Sequence, residues 1–231
     1  MQGVVSGIGY REERAAGLAC VWRAALPADA GGPFRQRVVP DGCVDLIWWG
    51  RDARITVAGP DTGPAPAELA PGDRLFGVRL RPGTAAPVLG VAVDAVRDAR
   101  IPLRELWGDE AERLAAAADP RAALLGAVRA RLAGPVDPFV PALVAGLGAG
   151  SVREAADALG FGERQLRRRA AAAFGYGPKT LQRVLRFQRA LGMARAGRPL
   201  AEVAYAAGYA DQAHLAHEVR ALGGVPIRSL L

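Results

Sequence analysis

Up to about residue 95 the apolar positions recur every second residue, and beyond residue 102 they recur every third or fourth. The first pattern predicts strands. Leu18–Leu26 is an apolar run closed by Pro27, and Pro27–Pro33, rich in Gly, Asp and Pro, is a loop. Val38-Val39 leads to a turn at Pro40-Asp41-Gly42, and Cys43–Trp49 follows as a β-branched and aromatic strand. Arg54–Ala58 and Leu75–Arg81 read as two more strands. Between them Gly59–Gly72, with prolines at 60, 64, 66 and 71, reads as a long loop. Several short strands separated by turn signals predict a small barrel or sandwich.

The second pattern predicts helices. Leu103, Leu106, Trp107, Ala111 and Leu114 share one helical face, and Asp119-Pro120 stops that helix and starts another through Leu124, Leu125, Val128 and Leu132. This helical hairpin, 102–133, has two open roles, packing back on the strands or forming a dimer interface. Gly134-Pro135-Val136-Asp137-Pro138 reads as a linker, and Phe139–Leu147 as a short apolar helix.

From Ser151 onward one arrangement is written twice. Glu154-Ala-Ala-Asp-Ala-Leu-Gly160-Phe161 returns 48 residues later as Glu202-Val-Ala-Tyr-Ala-Ala-Gly208-Tyr209. Each copy is followed by a second helical run, with Leu166 matched by Leu215 and Gly175 by Gly224 at an offset of 49. A short Ala-rich helix, a Gly-aromatic turn and an amphipathic helix make a helix-turn-helix unit. Ser151 with Glu154 has capping-box spacing, and Asp211 is a candidate N-cap. The units span 151–174 and 199–222, and a helix over 178–196, opened by Pro178, joins them. The expected architecture is therefore α+β. A β-rich unit with its hairpin occupies 1–133, 134–138 is a linker, and an all-α double helix-turn-helix unit occupies 139–231.

Charge sharpens this division. The formal net charge is +7, yet residues 1–150 hold 17 Arg and 17 acidic residues, while 151–231 hold 13 basic and 6 acidic. All the excess positive charge sits on the repeated region, which points to a polyanionic partner for that half. In the first unit Leu166, Ala170 and Ala173 face inward. Arg164, Arg167 and Arg168 share the opposite stripe, as a major-groove reader requires, because arginine can bind guanine O6 and N7 together and also neutralises phosphate. Gln165 lies beside them, and Lys179 and Arg183 begin the joining helix as further candidate DNA contacts. In the second unit Leu215, Val219 and Leu222 face inward, leaving Gln212, Ala213, His214 and His217 for the partner. A solvated charged face is the bland reading of such stripes, but the first stripe lacks acidic partners.

Here the sequence resembles the AraC/XylS family of bacterial transcription regulators. The resemblance rests on Arg164-Gln-Leu-Arg-Arg-Arg169, Gly175-x-x-Pro178-Lys179, Arg186-Phe-Gln-Arg-Ala-Leu191 and Gly208-Tyr-Ala-Asp-Gln-Ala-His-Leu215, across about residues 137–231. It implies a helical bundle that sets two recognition helices in successive major grooves. Arg164, Arg167 and Arg168 would be base-contacting in the first, and Gln212, Ala213, His214 and His217 in the second. This chain departs from the family where Gly162 stands for a capping Ser or Thr, Ala170 and Val219 stand for Phe, and His217 stands for Arg. The first half resembles β-rich domains found ahead of such regions, through Val39-Pro-Asp-Gly-Cys-Val-Asp-Leu-Ile47, Gly77–Gly83 and Leu103–Gly108. That resemblance implies a cupin-like barrel that binds a small effector and often dimerises.

The expected partners are double-stranded DNA, a small effector, a second copy through the first half or its hairpin, and RNA polymerase. Trp22, Trp48, Trp49 and Phe76 are the candidate effector-pocket residues. Trp48 and Trp49 are adjacent, so at most one can point inside. A regulator without ligand, whose first half only dimerises, remains an alternative. An enzyme is weaker, because residues 1–150 contain no histidine; Asp41 and Asp45 with Cys43 could still do chemistry, but Pro40-Asp41-Gly42 reads as an ordinary turn, and no catalytic residue is assigned. Cys20 and Cys43 are too few for a disulfide framework or a four-cysteine zinc site, so no metal or other cofactor is expected. With no targeting signal and no run of about 18 apolar residues, the cytoplasm is the expected location and no membrane contact is expected.

Overall fold

The computed structural model describes residues 8–231. The strands are β1 (Arg11–Glu13), β2 (Cys20–Ala25), β3 (Phe34–Val38), β4 (Val44–Trp49), β5 (Arg54–Ala58), β6 (Ala65–Leu69), β7 (Arg74–Leu80) and, later in the chain, β8 (Arg100–Pro102). The helices of the first half are α1 (Ala85–Leu89), α2 (Arg104–Trp107), α3 (Asp109–Ala115) and α4 (Pro120–Leu132), with a 3-10 turn at Val93–Val96. The second half holds α5 (Phe139–Ala149), α6 (Val152–Ala158), α7 (Glu163–Phe174), α8 (Pro178–Arg195), α9 (Leu200–Ala207) and α10 (Gln212–Gly223), closed by a 3-10 turn at Ile227–Leu230. The protein is thus a β-rich region followed by a helical one.

Six strands form an antiparallel sheet in the order β1-β2-β7-β4-β5-β8, and β3 pairs with β6 in a separate ribbon. The sheets do not close into one hydrogen-bonded barrel. The period of two gives the large sheet two apolar faces. Val44, Leu46, Ile55, Val57, Phe76, Val78 and Leu80 pack with α1, α3 and α4, burying Val88, Ala111, Ala115, Leu124 and Val128. Trp22, Ala24 and Leu75 face the other way, where Leu69 and Phe34 of the ribbon meet them.

Two local expectations change. The proline-rich stretch 59–72 contains β6, with Pro66 opposite Arg37. A two-stranded ribbon leaves an outer edge on each strand, so a residue without an N–H is tolerated there. The helix expected from Leu103 to Leu114 is broken at Gly108 (φ 56°) into α2 and α3. The hairpin's apolar side rests on the sheet, so packing back on the strands is its role within this chain. The capping signals at Ser151 and Asp211 form as read, and Asp119 adds a cap at the start of α4. Asp119 accepts from the N–H groups of Arg121 and Ala122, Ser151 and Glu154 make a reciprocal capping box, and Asp211 accepts from His214 N–H.

The halves pack directly on each other. Val39 joins the apolar cluster of α8, α9 and α10, and Gln188 on α8 donates to the Pro40 carbonyl at 2.6 Å. Gly175 ends α7 with φ 86° and Gly224 ends α10 with φ 72°. A Cβ at Gly175 would lie 2.4 Å from Pro60 Cγ, and one at Gly224 would lie 3.0 Å from Pro64 Cγ. Both helices therefore end in a left-handed glycine seated on a proline of one loop. Along 134–138 Val136 is 64% exposed, but Asp137 caps Phe139 N–H and pairs with Arg169 at 2.9 Å, which anchors the start of the second half.

Candidate DNA-binding surface and N-terminal cavity

Helix α7 buries Leu166, Ala170 and Phe174. The stripe opposite, Arg164, Gln165, Arg167 and Arg168, is exposed, and among the described residues none of its three arginines enters an ion pair. Arg169, next in sequence, turns aside. It pairs with Asp137 and its guanidinium lies over the rings of Phe139 (4.2 Å) and Phe161 (4.9 Å). A run of three arginines is thus split by helical geometry, with two presented outward and one holding α5 against the turn.

Helix α10 buries Leu215, Val219 and Leu222 and exposes Gln212, Ala213 and His217. His214 is half-buried, its Nδ1 accepting from Ala210 N–H (3.3 Å) and its ring edge-on to Tyr209 (5.2 Å). Lys179 is exposed, whereas Arg183 is half-buried and engaged within the chain. Its Nε and Nη2 donate to the two Glu218 oxygens at 2.9 and 3.1 Å. Arg186 reaches the same carboxylate at 3.8 Å, donates to the Gly208 carbonyl and lies over Tyr209. The α8 arginines were legible as a basic side. Their engagement depends on Glu218, a lone acid on the inner side of α10, which sequence reading passed over. Hydrogen bonding by Arg183 holds the Glu218 carboxyl below its ordinary range, against the opposing effect of burial.

Between the large sheet and the ribbon lies a cavity of about 370 Å³. Of the four aromatics expected there, Trp22 and Trp49 line it. Trp48 and Phe76 do not, because strand alternation turns both toward the helices. Trp48 Nε1 donates to the Ala115 carbonyl, and Phe76 lies under Arg121. Trp22 lies flat on β7, where a Cβ at Gly77 would come within 2.0 Å of its ring. Its Nε1 donates to Asp45 (2.6 Å), and Arg79 Nε donates to both Asp45 oxygens at 3.1 Å. Burial pushes the Asp45 carboxyl up, while Arg79 and Trp22 pull it down. Across the cavity Arg100 donates to both oxygens of the buried Asp61, at 2.9 and 2.7 Å. Asp45, weighed from the sequence only for possible chemistry with Asp41 and Cys43, and Arg79, not singled out there, both line the cavity. The signal was present, since each is a charged residue inside a strand, on the face shared with Trp49 and Leu75.

Comparison with known proteins gives names to both halves. Residues 155–231 match the family described as helix-turn-helix domain, and residues 15–102 match a domain of unknown function, DUF6597. The C-terminal region therefore carries a helix-turn-helix domain, behind a β-rich N-terminal domain. No curated protein matches the sequence. Among solved structures, ToxT from Vibrio cholerae O395 aligns over 94% of this chain and 95% of its own, at 9% identity and a TM-score of 0.47. ToxT of Vibrio cholerae strain SCE256 with a bound unsaturated fatty acid aligns over 87% and 95%, at 8% identity and 0.43. Among the described residues no helix is long and apolar enough to cross a membrane.

Proposed function

We propose that this protein is a sequence-specific transcription regulator that binds DNA through both repeated units and responds to a small effector held in the N-terminal cavity. The first unit leads. Arg164, Arg167 and Arg168 are outward and uncommitted, and Gln165 and Lys179 flank them. Gln212, Ala213 and His217 make the second contact, with His214 held half-inward. Arg183 serves the fold of the second unit.

One observation carries the effector part. The loop through residues 59–64 contributes Gly59 and Asp61 to the cavity, and the same loop seats the ends of both recognition helices, Pro60 against Gly175 and Pro64 against Gly224. The turn at 39–43 repeats the link. Asp41 and Cys43 line the cavity, while Val39 packs on the cluster of α8, α9 and α10 and the Pro40 carbonyl accepts from Gln188 of α8. A ligand that moves the first loop acts on the ends of both recognition helices directly, and one that moves the turn acts on the cluster that holds α8, α9 and α10 together. The thiols argue against a redox or nucleophilic role for the cavity. Burial pushes Cys20 up to about 11 and, with Asp41, pushes Cys43 higher still, so both stay protonated near neutral pH. The hairpin's apolar side is taken up by the sheet, which leaves a polar outer side for self-association or for RNA polymerase.

The test is selection of duplexes from a randomised pool by the full-length protein. The recovered sequences are expected to share a motif in two blocks, one for each recognition helix. Recovery without any shared motif would overturn sequence-specific regulation.

A further inference from the structure

The cavity has an acidic end. Around the single guanidinium of Arg79 stand three carboxylates, Asp45 at 3.1 Å, Glu12 at 3.6 Å and Asp41 at 3.9 Å. Glu12 is opposite Trp22 in the β1–β2 register and so stands on the same face of the sheet, beside the cavity wall that Tyr10 and Arg79 form. The other charges lining the cavity are matched by their own partners. Arg100 pairs with Asp61, Glu68 with Arg35, and Arg54 with Asp52. Among the described residues, the Arg79 end therefore carries more negative than positive charge.

The two longer contacts are too long to be hydrogen bonds, so the Glu12 and Asp41 oxygens keep acceptor capacity. Glu12 accepts from the Tyr10 hydroxyl, and Asp41 accepts from Cys43 N–H. Neither interaction neutralises charge. Between two sheets, such an excess is screened less than on the surface. Neighbouring groups register it. After burial itself, Glu12 contributes to pushing the Tyr10 hydroxyl up, and Asp41 does the same to the Cys43 thiol.

Tyr10 and Trp22 stand beside this end, and Trp49 lies further along the cavity, at the far end of β4 from Asp45. Tyr10 and Trp22 stand 5.9 Å apart with their rings tilted by 34°, and Trp49 carries Arg54 on its ring at 4.9 Å. An anion would enter against Glu12 and Asp41. A neutral apolar ligand would strip water from both carboxylates and offer nothing in return. A cation would complete the charge and lie against aromatic faces, which attract it through the ring quadrupole.

We propose that the N-terminal cavity binds an organic cation, an ammonium or guanidinium group on an apolar or aromatic body, with its charge taken by Glu12 and Asp41 and its body held by Tyr10, Trp22 and Trp49. This rests on the cavity being an effector site. The four tryptophans provide the assay. Trp22 and Trp49 face the cavity, while the indole N–H groups of Trp48 and Trp107 bond to the Ala115 and Val88 carbonyls on the helix side. Nitrogen-15-labelled full-length protein is titrated with three probes of one skeleton: 2-phenylethylammonium, 2-phenylethanol and 3-phenylpropionate.

The ammonium is expected to shift the Trp22 and Trp49 indole resonances saturably and leave Trp48 and Trp107 in place. The alcohol and the carboxylate should bind about tenfold more weakly or worse, as expected for loss of a charge-assisted contact. The double variant Glu12→Gln, Asp41→Asn should lose that preference while keeping its affinity for the alcohol. If that variant loses the Trp48 and Trp107 resonances, Glu12→Gln alone is read in its place. Equal or tighter binding of the alcohol or the carboxylate overturns the cation and spares the effector site. Unchanged ammonium affinity in the readable variant does the same. Unmoved Trp22 and Trp49 resonances with all three probes overturn the cation and the effector site together.

Discussion

The two helix-turn-helix units share a scaffold and divide its functions differently. Leu166 and Leu215 fill the same place, as do Ala170 and Val219, and both recognition helices end in a glycine pressed on a proline of one loop. Their caps are exchanged. The first unit secures its supporting helix α6 with a full capping box and starts α7 at Gly162 with no side-chain cap. The second starts its supporting helix α9 uncapped after Pro199 and secures α10 with Asp211. Their charges differ in the same direction. The outward arginines of α7 are uncommitted, while Arg183 and Arg186 close around Glu218 to fix α10. A duplicated fold has therefore produced one recognition helix with an outward stripe of unpaired arginines and one whose Glu218 is held inward by arginines of the joining helix.

The largest expected effect tests that division on DNA. Arg164→Ala and Arg168→Ala should each cost about 1–3 kcal/mol of affinity for a selected site. Gln212→Ala and His217→Ala should cost less, and Lys179→Ala should mainly flatten the salt dependence. Equal losses from both helices, measured by titration at fixed salt, would end the asymmetry.

Next comes stability of the second unit. Glu218→Gln breaks the two-pronged bond from Arg183 and should cost about 1–3 kcal/mol at neutral pH. The Glu218 carboxyl is lowered in the folded state. Its contribution is complete above the ordinary carboxylate range and fades as pH falls through the lower folded value. The gap between wild type and Glu218→Gln in denaturant unfolding should accordingly narrow on acidification. A gap that stays constant with pH would show that Glu218 does not act through its charge.

The smallest effects concern the caps. Asp211→Ala should destabilise by about 1 kcal/mol. Gly162→Ser should stabilise by only about 0.3 kcal/mol, since glycine is itself a fair N-cap. Gly162 has φ −67° and ψ 153°, an ordinary conformation for serine, and nothing lies within 4 Å of its missing Cβ. A stabilisation as large as the Asp211 loss would mean that α7 begins far more loosely than its backbone indicates.

Much of the fold was legible where the determining interactions are local. The capping box at Ser151, Pro178 at a helix start and the alternation along Val44–Trp49 each depend on neighbours a few residues away. The same alternation required Trp48 and Trp49 to part, and they do. Strand β6 was hidden by Pro66 because its pairing partner, β3, lies far away in sequence. The break at Gly108 was hidden because the apolar period runs through it undisturbed.

The functional surfaces divide on the same line. The sequence by itself determined the repeated helical scaffold, the outward arginine stripe of α7 and the confinement of excess positive charge to one half. Period and composition are properties of the chain alone. Only the tertiary structure decided that Arg183 belongs to Glu218, that Trp49 and not Trp48 faces the cavity, and that one loop serves both the cavity and the two recognition helices. Those outcomes depend on which groups meet across distant segments. A charge or a ring takes its role from the partner that packing brings to it.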